Sequence, residues 1–218
     1  MKFNLPTKLT FLRLFLALVI IVFLVFPFYR VGFEFTTFLF HNILIDVRYI
    51  ICGAIFIVAS LTDFLDGYLA RKRGEVTDFG KFTDAIADKV LVNSVLIIFA
   101  AHGYIPAAVP VIIVVRDIIV DAIRMNVANK GTVQAAGMTG KIKAAALMVG
   151  IILTFFYNLP FEIWGLSISK FFLYFGTLMS LVSMAEYYNL NKKLLYSEFS
   201  PDLVIFQKNK RCLGLTTA

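Results

Sequence analysis

The chain has 218 residues, of which 60% are hydrophobic and 16% are charged. Soluble domains average roughly 45–50% apolar residues, so this composition excludes an ordinary soluble globule and favours a protein embedded in a membrane. The formal charge of +7 is typical of basic cytoplasmic loops that face anionic lipid, and we expect membrane lipid and no nucleic acid as a partner.

The N-terminal residues predict an interfacial segment followed by a first transmembrane span. Residues 1–10 combine two lysines with scattered apolar side chains, which indicates a short interfacial segment. A long apolar run follows and ends at Tyr29 and Arg30 without a small-residue cleavage site. We therefore expect an uncleaved first span over residues 11–28.

Five further apolar stretches approach the length of about 20 residues that a helix needs to cross a bilayer. An aromatic-rich connection over residues 31–46 precedes the first of them. Residues 1–194 would form one membrane domain and residues 195–218 a basic cytoplasmic tail. The expected fold is all-α and polytopic, with about six transmembrane helices. The five stretches lie over residues 48–70, 79–101, 107–127, 140–157 and 168–188.

Lysine and arginine are distributed unevenly among the predicted loops. The second loop contains Arg71, Lys72 and Arg73, and both termini and the connection between spans four and five are also basic. The turn after the third span has no charged residue and holds His102, to which we assign no role; the turn after the fifth has only Glu162. This bias predicts a multi-pass plasma-membrane protein whose termini face the cytoplasm.

A set of aspartates stands out on the second and third predicted spans. Asp63 and Asp66 are three residues apart, and Asp84 and Asp88 are four apart, so each pair shares one face of its helix. A turn near Glu75 would bring the two pairs to similar depths, because each helical residue rises about 1.5 Å. A charge at membrane depth costs roughly 2.5–3.5 kcal/mol on insertion scales, so this cluster indicates a functional site.

Four neighbouring carboxylates need positive partners if all are to stay ionised, and oxygen ligands in that number suit Mg²⁺, Mn²⁺ or Ca²⁺. Gly67, Ala70 and Gly80 are small and would let a ligand approach the backbone. Arg71 offers a guanidinium suited to phosphate oxygens. Taken singly, each of these residues can equally serve helix packing or topology; together they predict a phosphate site beside bound cations.

Residues 63 to 88 read Asp-x2-Asp-Gly-x2-Ala-Arg-x8-Gly-x3-Asp-x3-Asp. This pattern resembles, position for position, the motif of the CDP-alcohol phosphatidyltransferases. Ala85 is a departure, since many members have proline there. The resemblance implies transfer of a phosphatidyl group from a CDP-linked lipid, CDP-diacylglycerol, to an alcohol, with release of CMP. It also implies a homodimer.

The same resemblance assigns roles to individual residues. It implies two divalent cations, Mg²⁺ or Mn²⁺, that hold the diphosphate and are bound by Asp63, Asp66, Asp84 and Asp88. Asp88 would also act catalytically, by taking the proton from the acceptor hydroxyl. The implied CDP-lipid site consists of Asp63, Asp66, Gly67, Ala70, Arg71, Thr77 and Gly80.

A second set of charges lies on the fourth and fifth predicted spans: Arg116, Asp117, Asp121, Arg124, Lys141 and Lys143. One interpretation is internal salt bridging of Asp117 or Asp121 with Arg124. The other is an acceptor-phosphate site, because the four cations resemble the branch of the family that uses glycerol 3-phosphate. Asp121 departs from that branch, and an inositol phosphate is the closest rival acceptor.

Two further alternatives stay open. Asn4, Pro6, Thr10 and Arg13 resemble the opening of the same branch, but Arg13 can equally be a snorkelling topology charge. A divalent-cation transporter is an alternative of a different class, since intramembrane carboxylates also build cation pathways. A transporter would distribute its acids through the membrane depth, whereas this chain clusters them at one end, which favours an enzyme.

Overall fold

The computed structural model describes residues 5–32, 35–40, 43–73, 78–129 and 137–199. This part of the chain is mostly helical, as the sequence predicted. Its six α-helices, in chain order, are α1 Leu5–Val25, α2 Val47–Arg73, α3 Asp78–Ala101, α4 Ala108–Asn129, α5 Met138–Phe155 and α6 Ile168–Phe199.

Three details differ from the sequence-based expectation. Residues 5–10 continue α1 instead of forming a separate interfacial segment, and Thr10 is buried within the protein. α6 runs to Phe199, about three turns past the predicted sixth span, so residues 195–199 of the expected tail are helical. Two short strands, β1 (Thr37–Phe40) and β2 (Ile43–Asp46), pair antiparallel between α1 and α2.

Three of the described helices are long and apolar enough to cross a membrane, over Lys8–Val25, Met138–Phe155 and Ile168–Lys192. Large apolar side chains also point outward, with Phe15 on α1 62% exposed and Phe171 on α6 64% exposed. A surface of this kind is stable against lipid and identifies a membrane protein. α2, α3 and α4 are also long, with 27, 24 and 22 residues, but they carry most of the charges identified above.

α2 and α3 run antiparallel. Near the start of α2, Tyr49 stacks on Phe99 near the end of α3, with ring centroids 6.4 Å apart. The Tyr49 hydroxyl also shares a hydrogen bond with His102, just beyond α3. One continuous apolar core, which includes Phe56 and Phe155, fills this half of the bundle. The acidic residues of α2 and α3 therefore lie towards the opposite end.

Glycines allow α5 and α6 to pack closely. A Cβ atom on Gly150 of α5 would lie 2.8 Å from Leu173 of α6, and a Cβ atom on Gly176 of α6 would lie 2.8 Å from Leu147 of α5. Small residues that permit such approach are the usual basis of helix association in membranes. α1 packs against both α2 and α3, and α4 packs against α6, so a site between these groups has a rigid frame.

Candidate active site

Carboxylates from α2 and α3 converge on one side chain of α1. Nη1 of Arg13 lies 2.5 Å from Oδ1 of Asp63 and 2.8 Å from Oδ1 of Asp84. Arg13 is fully buried, with 0% exposure. Because both carboxylate oxygens lie within hydrogen-bond distance of a single nitrogen atom, one positive centre can contact both acids.

The burial of Arg13 decides between the two interpretations left open by the sequence. A snorkelling arginine keeps its guanidinium in water, whereas this guanidinium lies between two acids inside the protein. The reason is tertiary, since α1 packs along both helices of the acidic hairpin. Arg13 is therefore part of the acidic site.

Asp88 lies one helical turn beyond Asp84 and lines a cavity of about 180 Å³. It interacts electrostatically with Asp63, Asp84 and Arg13, so three of the four motif aspartates share one neighbourhood. The side chain of the fourth, Asp66, lies outside the described part of the structure.

Most of the implied CDP-lipid site falls outside what the structure describes. Thr77 lies in one of the gaps, and the side chains at Ala70 and Arg71 are not described although α2 includes their backbone. Gly67 belongs to the same stretch of α2. Gly80 is half-buried in the first turn of α3, one turn before the third aspartate of the motif.

The described carboxylates supply only part of the oxygen donors that a divalent cation needs. Among the described side chains, no group of three or more His, Cys, Asp or Glu residues lies close enough together to hold a metal ion. That part of the chain does supply Asp63 and Asp84 around one positively charged centre. Mg²⁺ sites typically take one or two carboxylates and complete their shell with water and substrate phosphate oxygens. Asp63 and Asp84 would supply the carboxylate ligands of such a site.

Four of the six charges in the second set line the same cavity as Asp88: Arg116, Asp117, Arg124 and Lys143. Nη1 of Arg116 donates to Oδ1 of Asp117 at 2.9 Å, and Nζ of Lys143 donates to the same oxygen at 2.6 Å. All three residues line the cavity, and Asp117 and Lys143 are each 8% exposed. One carboxylate thus holds two cations in the cavity wall and leaves an excess of positive charge there.

α6 fixes the orientation of the Arg116 guanidinium. Nε donates to the Ser180 carbonyl at 3.1 Å, and Nη2 donates to Oγ of Ser183 at 2.8 Å. Together with the bond to Asp117, these contacts hold all three guanidinium nitrogens. A planar guanidinium held in this way is preorganised for an oxyanion.

Among the described residues, Asp117 and Asp121 pair with cations other than Arg124, so the salt bridges that one interpretation of the sequence offered are not formed. Cζ of Arg124 lies 6.0 Å from the centre of the Tyr187 ring, in a cation–π arrangement, and the residue lines the cavity. Asp121, the departure from the family branch, pairs with Lys89 of α3, which is another cavity residue. Arg124 therefore carries its charge at the cavity.

Lys141 is the member of the predicted cation set that the structure separates from the others. It is exposed and does not line the cavity, whereas Lys143 does. The physical reason is helix geometry, because residues two apart on an α-helix differ by about 200° around its axis. The two lysines cannot face the same cavity from one helix.

The chain is also similar in sequence to known proteins. Residues 3–182 match the family model for CDP-alcohol phosphatidyltransferase. The chain belongs to this family. A CDP-diacylglycerol–glycerol-3-phosphate 3-phosphatidyltransferase from Bacillus subtilis (strain 168) is 36% identical over 197 aligned residues, and the alignment covers 88% of this chain and 97% of that protein.

Proteins of the same name from two other bacteria are similar to the chain. The protein from Mycoplasma genitalium is 35% identical and covers 78% of this chain and 70% of its own length. The protein from Haemophilus influenzae is 34% identical, and the alignment covers 88% of this chain and 95% of that protein. The resemblance seen in the sequence motif is therefore confirmed, and the chain is a transferase and not a cation transporter.

Within this CDP-alcohol phosphatidyltransferase, the sequence pattern did not reveal the contribution of α6. Ser183 and Tyr187 line the cavity and contact Arg116 and Arg124. They lie four residues apart and so share one helix face. Two polar residues on one face of an apolar span were the feature of the sequence that could have indicated this contribution. Neither residue carries a charge, which is the property that identified the other site residues.

Proposed function

We propose that the chain transfers the phosphatidyl group of CDP-diacylglycerol to glycerol 3-phosphate, producing phosphatidylglycerophosphate and CMP. The observation that carries the proposal is the cation-lined cavity, which Asp88 lines while interacting electrostatically with Asp63 and Asp84 of the acidic cluster. The names of the relatives, which specify glycerol 3-phosphate as the acceptor, support the same reaction.

Asp88 links the two parts of the site. Asp88 lines the same cavity as Arg116, Arg124 and Lys143, so an acceptor held there by these cations would present its hydroxyl to this carboxylate. Asp88 would accept the hydroxyl proton as the oxygen attacks the β-phosphorus of the CDP-lipid. A new bond from the acceptor oxygen to phosphorus then replaces the bond to the CMP oxygen, and CMP leaves with the electron pair.

The acidic residues would position the diphosphate. Asp63, Asp66, Asp84 and Asp88 would hold two divalent cations, Mg²⁺ or Mn²⁺, which when bound neutralise charge on the attacking and leaving oxygens. Arg13 orients Asp63 and Asp84 through its two short contacts. The convergence of these two acids on one positive centre supports this assignment.

The nucleotide part of the lipid would lie along the small-residue face that precedes the third aspartate. Because Gly67, Ala70 and Gly80 are small, they would leave room for it, and Arg71 and Thr77 would bind its phosphate and polar groups. The support for this assignment is the complete motif spacing, together with the position of Gly80 one turn before Asp84.

The acceptor phosphate would be held by Arg116, Arg124 and Lys143. Arg116 is fixed by α4 and α6, and Lys143 is fixed through Asp117, so binding needs little reordering of these side chains. Lys141 lies on the exposed side of α5 and would contribute only long-range attraction for an anion, screened over about 8 Å at physiological salt.

The membrane arrangement is also part of the proposal. α2, α3 and α4 rise about 33 Å or more by their lengths, which matches a hydrocarbon core of about 30 Å, so six helices would span. The bias of lysine and arginine towards the loops on one side supports a site at the cytoplasmic face of the plasma membrane. There it meets a lipid substrate from the bilayer and a charged acceptor from the cytosol, and we expect a homodimer, as the family resemblance implies.

The test is a CMP-release assay on the full chain in detergent or liposomes. CDP-diacylglycerol is supplied with glycerol 3-phosphate, an inositol phosphate or glycerol, each with Mg²⁺, with Mn²⁺ or with EDTA. We expect CMP release with glycerol 3-phosphate and a divalent cation, and loss of release in EDTA. Faster turnover with inositol phosphate would reassign the acceptor, and no turnover with any alcohol would refute the proposal.

A further inference from the structure

The hairpin of β1 and β2 exposes an apolar surface at the end of the bundle opposite the acidic residues. Its strands carry no charge before Asp46, the last residue of β2. Leu39 and Leu44 oppose each other across the strands and are 68% and 64% exposed, and Phe38 and Phe40 are each 44% exposed. An isolated two-stranded hairpin is at best marginally stable in water, so this apolar surface needs a partner that covers it.

The base of the hairpin is fixed to the helices. The backbone N–H of Asp46 donates to the Tyr157 hydroxyl at 2.9 Å, and the Asp46 carboxylate accepts from Nε of Arg48 at 2.8 Å. Just before β1, the Phe35 ring meets the Phe28 ring edge-on at 5.2 Å between centroids, and the Arg48 guanidinium lies over Phe35. Because a strand of four residues spans only about 13 Å, the hairpin stays close to the ends of α1 and α2.

The apolar surface of the hairpin continues the lipid-facing surface of α1. Val22 and Val25 lie at the end of the apolar span of α1 and are exposed. Tyr29 and Val31, between α1 and β1, are also exposed. The lipid that covers the outside of α1 therefore reaches the segment that leads into the hairpin.

A second aromatic segment lies beside the hairpin. Trp164 ends the short helical turn Phe161–Trp164 after α5 and is 70% exposed. Glu162 of this turn and Ile43 of β2 line one cavity of about 240 Å³, so the turn and the hairpin are neighbours. Trp and Tyr are enriched where a bilayer meets water, and the exposed Trp164 and Tyr29 therefore indicate that the hairpin lies at that boundary.

The backbone of the hairpin limits the depth at which it can lie. Among the described residues the sheet has two strands, so one edge of each strand has no partner strand. Its N–H and C=O groups are excluded from the hydrocarbon core, where no water can bind them, but interfacial water and headgroups can bind them. A second copy of the chain could also pair along such an edge. Exposed apolar residues on both faces of the hairpin, continuous with α1, favour lipid.

We propose that the β1–β2 hairpin is an interfacial anchor, which lies in the bilayer interface at the end of the bundle opposite the acidic residues. Its partner is the glycerol and upper acyl-chain region of phospholipid, which it contacts mainly through Leu39 and Leu44. The strands carry no charge at this surface, so the anchor selects no particular headgroup. Because the base of the hairpin is fixed to α1 and α2, the anchor also holds these helix ends at a constant depth. The proposal does not depend on which acceptor the enzyme uses.

The test is tryptophan fluorescence of the full chain in liposomes whose lipids carry bromine at defined depths. Trp164 is the one tryptophan of the chain, so the wild type reports on the turn beside the hairpin. Leu39→Trp and Leu44→Trp, each in a Trp164→Phe background, report on the hairpin itself. Two matched variants in the same background calibrate the depth. Leu178→Trp replaces an exposed residue in the middle of the α6 span, and Lys141→Trp replaces an exposed residue near the start of α5.

We expect Leu39→Trp and Leu44→Trp to lose most fluorescence with bromine near the glycerol end of the acyl chains, as should Trp164 in the wild type. Leu178→Trp should lose most with bromine near the chain ends. Acrylamide in the water should quench both hairpin probes less than Lys141→Trp. Because two hairpin probes are used, failure of one variant to reconstitute leaves the test intact.

Three results would overturn the proposal. Hairpin probes that acrylamide quenches as fully as Lys141→Trp, and that brominated lipid does not quench, would lie in water. Probes protected from both quenchers would be covered by protein, which is the result expected if a second copy pairs with the hairpin. Probes quenched most by bromine near the chain ends would lie in the hydrocarbon core.

Discussion

Replacing Arg13 by methionine removes the charge between Asp63 and Asp84 and keeps most of the buried side-chain volume. Arg13 is 0% exposed, and its Nη1 contacts both carboxylates at 2.5 and 2.8 Å. Loss of one partner from a buried ion pair costs roughly 3–5 kcal/mol. The Asp63 and Asp84 side chains are 32% and 40% exposed, so water partly solvates the stranded acids. We therefore expect a loss of about 2–3 kcal/mol in unfolding free energy.

The size of this loss should depend on divalent cations. If the two carboxylates also bind Mg²⁺, the metal supplies the positive charge that the variant lacks, and binding to the native state adds stability by mass action. Arg13→Met should then be destabilised strongly in EDTA and less in saturating Mg²⁺. The opposite ordering would contradict a shared site.

The assay is denaturant unfolding of the purified chain in detergent, for wild type and variant, with EDTA and with excess Mg²⁺. Arg30→Met is the matched control, because Arg30 is an exposed arginine in the segment after α1 and should lose little in either condition. Two results would refute the reasoning. If Arg13→Met is as stable as the wild type in EDTA, the ion pairs contribute nothing to stability. If the variant loses the same unfolding free energy in EDTA and in Mg²⁺, the acids bind no metal.

The other predictions concern chemistry, acceptor binding and helix packing. Asp88→Asn should abolish CMP release while the melting temperature stays near wild type; measurable turnover at the wild-type rate would remove Asp88 from the mechanism. Arg116→Ala should raise the KM for glycerol 3-phosphate at least tenfold, and Lys141→Ala should raise it much less. If steady-state kinetics show a similar rise in this KM for both variants, the assignment of Arg116 and not Lys141 to the cavity is wrong. Gly150→Ala should destabilise the chain by about 1–3 kcal/mol, because its Cβ would meet Leu173 at 2.8 Å; unchanged thermal unfolding would argue against close α5–α6 packing.

The helices themselves could be predicted from the sequence because their causes are local. Apolar runs of bilayer length, broken by polar or glycine-containing turns, predict the ends of α2, α3, α4 and α5 to within about three residues of their observed positions. The predicted sixth span ends before α6 does, because the apolar run stops near residue 188 and residues 189–199 mix Asn, Lys, Ser and Glu with apolar side chains. Leu, Lys and Glu are good helix formers, so the helix continues where the apolar run stops. The pairing of β1 with β2 depends on contacts across a turn, which the aromatic-rich composition of that segment does not specify.

The candidate site could likewise be predicted only where its residues lie on one helix. Spacing within one helix determines that Asp84 and Asp88 share a face, and the motif alone identifies the family. The same spacing rule, applied between Lys141 and Lys143, excludes their sharing a cavity, but only the structure shows which of them faces inward.

By itself, the sequence determined the six helices, the acidic motif and the family, because these follow from neighbours three or four residues apart and from runs of one composition. Tertiary structure alone decided that Arg13 lies between Asp63 and Asp84, and that Ser183 and Tyr187 complete the cavity beside Arg116 and Arg124. Such contacts join residues more than 45 positions apart, as in the 67-residue separation of Arg116 and Ser183. They depend on how whole helices pack against one another, which local periodicity does not encode.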